Sequence, residues 1–103
     1  MHTVHLADRT RGDVPYAAVG IFFSVNKYTH KLADSDQAIV DDFFESLEWT
    51  ETETNPKVPE VPYGKLLNMV DMQNRWVYRG SVTTPPCATS VYWNVLRTVY
   101  PLK

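Results

Sequence analysis

Pro85 and Pro86 stand side by side in GSVTTPPC, residues 80–87. Two consecutive residues without an N–H donor can sit neither inside a helix nor inside a sheet ladder. The chain must therefore turn there. On either side lie RWVYR and SVYWNVL, aromatic and β-branched stretches suited to strands. This is a stiff corner between two strands, and two readings of it are open. Either it is only a corner, or its backbone is held for a reacting group.

The rest of the chain reads as strand, strand, helix, loop, strand, strand. HTVHL, residues 2–6, alternates weakly and carries β-branched residues, which predicts a strand. RTRGDVP is a turn-rich connection. YAAVGIFFSV (16–25) is a near-continuous apolar run, suited to a central strand covered on both faces, with Gly20 allowing close approach. Ile39, Val40, Phe43, Phe44 and Leu47 fall at helical spacing, with Asp34 or Ser35 available as the N-cap. TETETNPKVPEVPYG has three prolines and no periodicity, so it is a surface loop, and a short KLLNMV element follows. The last strand, from Val91 to Leu96, presents Val91, Trp93 and Val95 on one face and Tyr92, Asn94 and Leu96 on the other. No repeat and no second domain is evident.

At 103 residues the chain has the size of one small domain with a modest core. A formal charge of −2 gives no basic footprint, which argues against nucleic acid as a partner. No apolar run reaches the length of a membrane span. Nor does a leader precede His2 to Leu6, which already reads as the inside of a folded element. Cys87 is the one cysteine, so it is either a free thiol or half of a bridge with a partner elsewhere.

Three histidines are present: His2, His5 and His30. On an extended segment, residues three apart point to opposite faces. His2 and His5 therefore cannot share a metal, and one of them belongs to the reverse side of the sheet. His30 reads as a loop residue without a role.

MHTVHLAD, AAVGIFFSV and WVYRGSVTTPPCATSVYWNVL occur in this order, with a helix between the second and third. Together they resemble the middle of an α-class carbonic anhydrase. The third block carries most of that resemblance. It follows a Tyr-x-Gly-Ser-(Leu/Val)-Thr-Thr-Pro-Pro-Cys pattern continued by Val-x-Trp-x-Val-Leu. The first block is similar to the family's Glu-x-His-x-Val-His strand. The implied fold is mainly β: the central part of a large, twisted, mostly antiparallel sheet with one short amphipathic helix. Residues 1–103 would form a partial domain, lacking upstream and downstream strands.

The resemblance implies roles residue by residue. His2 matches the third zinc ligand, and His5, on the opposite face, is structural. Thr83 matches the threonine whose hydroxyl accepts a hydrogen bond from zinc-bound hydroxide and aims its lone pair at carbon dioxide. Its N–H would also meet the substrate. Thr84 borders the bicarbonate position. Val4, Val82, Val91 and Trp93 match the apolar wall around carbon dioxide, and Ala18 matches a wall position often held by valine, which makes the pocket slightly roomier. Zinc held by three neutral imidazoles lowers the pKa of its water to about 7. Pro85–Pro86 looks like the family's cis bond, which would stiffen the corner so that it holds Thr83.

Departures from the pattern are equally clear. The family's His-x-His strand, the glutamate that orients the threonine, the usual proton-shuttle histidine and the C-terminal strands have no counterpart here. The chain therefore reads as an internal segment of a larger protein, inactive in isolation, whose complete form is a zinc lyase hydrating carbon dioxide reversibly to bicarbonate. The alternative is a non-catalytic carbonic anhydrase-like binding domain for cell-surface or protein contacts. Secreted members often carry a cysteine directly after the Pro-Pro, bridged to one near the N-terminus. A bridge from Cys87 to a cysteine outside this segment would make the parent extracellular; a partly buried free thiol is the other reading.

Overall fold

The structure, a computed structural model, describes residues 1–8 and 15–103. The turn expected in RTRGDVP falls largely on residues 9–14, outside the described residues. The chain divides into two compact units. The first comprises Met1–Phe23 and Asp71–Val99, the second Ser24–Val70 and Tyr100–Lys103.

The first unit is built on a four-stranded sheet. Its strands are β1 (His2–Leu6), β2 (Tyr16–Ser24), β3 (Arg75–Gly80) and β4 (Val91–Pro101), in the order β1-β2-β4-β3. β1 pairs antiparallel with β2, His2 opposite Gly20 and Val4 opposite Ala18. β3 pairs antiparallel with β4, Tyr78 opposite Trp93 and Trp76 opposite Val95. The sheet is mixed, which leaves β2 and β4 as its parallel pair. Parallel neighbours need cover on both faces, and the apolar run of β2 meets that need: Ala18, Val19, Gly20 and Ile21 are buried at successive positions. On β4 the alternation expected from sequence holds, with Val91 and Trp93 buried on one face and Leu96 fully buried on the other. That strand also runs five residues beyond Leu96.

Gly20 does not perform the role its sequence suggests. A Cβ added there would meet Val95 Cγ2 at 3.6 Å and His2 Cδ2 at 3.8 Å, ordinary contact distances. The crowded position is Gly80, where a Cβ would stand 3.1 Å from Trp93 Cδ1 and 3.2 Å from Tyr78 Cε2.

The second unit contains two helices, α1 (Asp34–Ser46) and α2 (Tyr63–Met69), which pack on each other. The expected single helix is α1, and Val40 and Phe43 are its buried apolar stripe, as the spacing predicted. Its N-cap is neither Asp34 nor Ser35. Ala33 takes the extended capping conformation (φ −61°, ψ 154°), and its carbonyl accepts the first helical bond from Gln37 N–H at 2.9 Å. Asp34 and Asp36 instead lie inside the first turn, where carboxylates favour the positive end of the helix dipole. The KLLNMV element is α2, which begins two residues earlier at Tyr63 and buries Leu66. Gln37 is buried as well, and its side-chain amide donates to Asp41 Oδ1 (2.9 Å) and to the Pro101 carbonyl (3.2 Å).

Candidate active site

Register places His2, Gly20, Val95 and Trp76 on one face of the sheet, because paired residues point the same way and a Cβ at Gly20 would touch both His2 and Val95. On that face lies a hollow of about 420 Å³ lined by His2, Trp93, Thr83, Phe22, Trp76 and Tyr78, among others. Its wall is therefore mostly apolar and rich in aromatic rings, with the His2 imidazole and the Thr83 hydroxyl among its polar groups.

Trp93 is the centre of this arrangement. It is buried in a cluster with Ala18 and Val91, against which Val82 and Val95 pack. The His2 ring meets its indole edge-on, with centroids 4.9 Å apart and planes at 71°. Tyr78 lies near-parallel to it at 6.4 Å, with 13° between the planes. The indole N–H donates to the Ser81 carbonyl at 3.0 Å.

The corner after β3 is held from both ends. The peptide joining Ser81 to Val82 accepts that indole bond at its carbonyl, and its N–H donates to the Ala88 carbonyl at 3.0 Å. Beyond Thr83, the Thr84 carbonyl accepts the Cys87 N–H at 2.8 Å. Pro85–Pro86 is cis, as expected, and Cys87 takes a positive φ of 57°. Between the two clamps, Thr83 is exposed, and its hydroxyl and its N–H make no hydrogen bond among the described residues.

The sequence-derived candidates separate into groups. His2, Thr83 and Trp93 come together in the hollow. Ala18, Val91 and Val82 do not line it but belong to the packed cluster behind Trp93. Val4 shares the His2 face yet is 58% exposed, and Thr84 is exposed outside the hollow. Sequence reasoning missed Phe22, Trp76 and Tyr78 as wall residues. Alternating aromatics in RWVYR were the available signal, but only the pairing of Tyr78 with Trp93 aims them at this face. His5 lies on the opposite face and shares a hydrogen bond with the Thr3 hydroxyl (Nε2 to Oγ1, 3.0 Å), as strand geometry required. His30 is an exposed bend residue. Beside His2, the Met1 amino group donates to the Ile21 carbonyl at 2.8 Å, and partial burial holds its pKa below the ordinary value.

The sequence pattern of the eukaryotic-type carbonic anhydrases matches residues 2–103. The chain belongs to that family. No curated protein gives a significant match to it. Membership accounts for the mainly β architecture, the four strands being consistent with a segment of a carbonic anhydrase sheet.

Carbonic anhydrases of this family use zinc, and the residues present can be tested against that requirement. A catalytic zinc site needs three protein ligands. Here His2 faces the hollow alone, with His5 turned to the other side. Among the described residues no group of three His, Cys, Asp or Glu could hold a metal. The residues of this chain by themselves do not make a zinc site. No helix is long and apolar enough to cross a membrane, among the described residues.

Proposed function

We propose that this chain is part of a larger carbonic anhydrase domain that hydrates carbon dioxide reversibly to bicarbonate, with His2 as one of three zinc ligands and Thr83 as the hydroxide-orienting residue. The reading is carried by one observation: His2 and Thr83, far apart in the chain, line a single hollow. Two further imidazoles must come from outside this chain, and zinc so held would supply hydroxide at neutral pH.

The chain's own residues account for the rest. Carbon dioxide is apolar, and the wall around Trp93 gives it a site from which water gains little. Attack on its carbon needs a hydroxide whose lone pair is aimed and whose proton is occupied. Thr83 Oγ1, without a hydrogen-bond partner among the described residues, can accept that proton's hydrogen bond. Zinc held by His2 and two imidazoles from outside the chain would supply the hydroxide that adds to carbon dioxide, and the part of Thr83 would be to keep that hydroxide aimed. Thr83 N–H would border the product, with Thr84 next to it in the chain but outside the hollow. Ala18, Val82 and Val91 do not line the hollow but support Trp93 from the packed cluster behind it.

The test is made in the complete protein. Thr83→Ala should keep zinc and slow carbon dioxide hydration. Losing one aimed hydrogen bond to developing charge costs about a hundredfold to a thousandfold, and a group that orients a nucleophile belongs at or below the lower end. Thr84→Ala should be milder, and His2→Ala should lose the metal and the activity together. Full stopped-flow activity in zinc-loaded Thr83→Ala would sink the role given to Thr83, whereas a complete protein that hydrates no carbon dioxide would favour a binding domain without catalysis. Cys87, exposed and without a partner among the described residues, suits a bridge to a cysteine elsewhere and a secreted parent. A freely titrating Cys87 thiol in the complete protein would count against that.

A further inference from the structure

We propose that Trp93 is a positioning residue, whose indole N–H sets the corner that carries Thr83 while its ring holds His2. The inference rests on the functional reading above and adds a role beyond that of apolar wall.

The argument starts from one peptide plane. The Ser81–Val82 peptide is gripped at its carbonyl by Trp93 Nε1–H (3.0 Å) and at its N–H by the Ala88 carbonyl (3.0 Å). A peptide plane held at both polar ends cannot rotate, and Thr83 follows one residue later. Its downstream side is tied through the bond from Cys87 N–H to the Thr84 carbonyl. Of these three bonds, the one from Trp93 reaches out of the corner into the sheet. The others join the corner to itself and would move with it. Trp93 can serve as the anchor because it is buried among Ala18 and Val91, and because Gly80 leaves space for its indole edge. An indole nitrogen is a donor only, so this bond has one direction and no alternative tautomer.

The same ring meets His2 edge-on at 4.9 Å. One rigid side chain therefore contacts both His2 and the peptide that leads into Thr83, through different parts of its surface. Tyrosine or phenylalanine could supply the ring contact but not a donor in this place.

The experiment separates the two contacts. Replacing Trp93 with β-(3-benzothienyl)alanine keeps the bicyclic shape and puts sulfur where the N–H was. Backbone hydrogen exchange and chemical shifts are then read by NMR, and hydration kinetics by stopped flow, all in the complete protein. The isostere should raise the exchange rate of the Val82 amide roughly tenfold, the loss of one ordinary hydrogen bond, and shift the Thr83 backbone resonances. The His2 ring signals and zinc content should stay as they were. Hydration should fall through kcat, with KM little changed, because the substrate wall is intact. Trp93→Phe should disturb both the corner and the His2 ring, and if it fails to fold, the isostere alone decides. Unchanged Val82 exchange and Thr83 shifts in the isostere would overturn the proposal and leave Trp93 as packing. If the corner loosens in the isostere but Thr83→Ala retains full hydration, the anchor is right and the functional reading is wrong.

Discussion

The indole of Trp93 occupies the space that a side chain at residue 80 would need. A Cβ on Gly80 would stand 3.1 Å from Trp93 Cδ1 and 3.2 Å from Tyr78 Cε2, tighter than normal packing allows. Tyr78 is half exposed and can give way, whereas Trp93 is buried and tied to Ser81. Gly80→Ala should therefore destabilise the chain by about 1 kcal/mol, and Gly80→Val by more, within the roughly 1–3 kcal/mol usual for overpacking. Urea denaturation checks both. Gly20→Ala is the control, since its new methyl meets only ordinary contacts, and a loss as large as that at Gly80 would refute the argument.

His2 and His5 should behave oppositely toward metal. They lie on opposite faces of β1, and His5 is engaged with Thr3. In the complete protein His5→Ala should retain zinc by metal analysis and shift stability by no more than about 0.5 kcal/mol, as expected for an exposed site. Loss of zinc in that variant would mean the strand is read on the wrong face.

Gln37 makes a buried connection within the second unit. Its amide donates to Asp41 and to the Pro101 carbonyl. Gln37→Met, of similar size and without donors, should cost roughly 1–3 kcal/mol, because the carbonyl and the carboxylate lose a partner. Asp41→Ala should be milder, Asp41 being only half-buried. Equal effects from both, measured by equilibrium denaturation, would place the stabilisation in the Gln37–Asp41 contact instead of the bond to Pro101.

Asp71 ties the turn that leads into β3. Its carboxylate accepts the Asn74 side-chain amide (2.7 Å), the Gln73 N–H (2.9 Å) and the Asn74 N–H (3.3 Å), and these bonds, Asn74's side chain first, hold its pKa below the ordinary value. A carboxyl group whose pKa is lower folded than unfolded adds stability that is complete above the unfolded value and lost as pH falls through the folded one. Stability should thus decline as pH drops below the usual aspartate range, and Asp71→Ala should flatten that part of the profile. Carboxyl-carbon NMR titration reads the group directly, and a midpoint at or above the ordinary value would contradict the assignment.

Outer strands β1 and β3 should make the isolated chain self-associate. Val4 and Leu6 on one, Trp76 and Tyr78 on the other, are each more than half exposed, and unpaired edges with apolar side chains invite pairing. Light scattering should detect oligomers of the 103-residue chain, reduced in a Trp76→Lys, Tyr78→Lys double variant. A monodisperse monomer at high concentration would rule this out.

The strands and α1 were legible because each rests on local periodicity. The apolar run of β2, the alternation of β4 and the stripe of α1 are patterns within about ten residues. α2 was seen only as a short element, since seven residues with one buried position, Leu66, carry almost no period. The helix cap was misplaced by two competing polar residues, when the backbone of Ala33 does the capping.

In the candidate site, the sequence by itself singled out His2, Thr83 and Trp93, which line one hollow, and determined that His2 and His5 must part company. The first follows from the resemblance of the sequence blocks to carbonic anhydrases and the second from strand alternation, and neither needs a distant partner. Tertiary structure decided that Val4 stays exposed and that Ala18 and Val91 stand behind Trp93, out of the hollow. It also decided that Gly80, not Gly20, is the glycine with no space to spare, and that Phe22, Trp76 and Tyr78 complete the wall. These depend on register between strands far apart in the chain, and a shift of one residue would turn every one of those side chains to the other face.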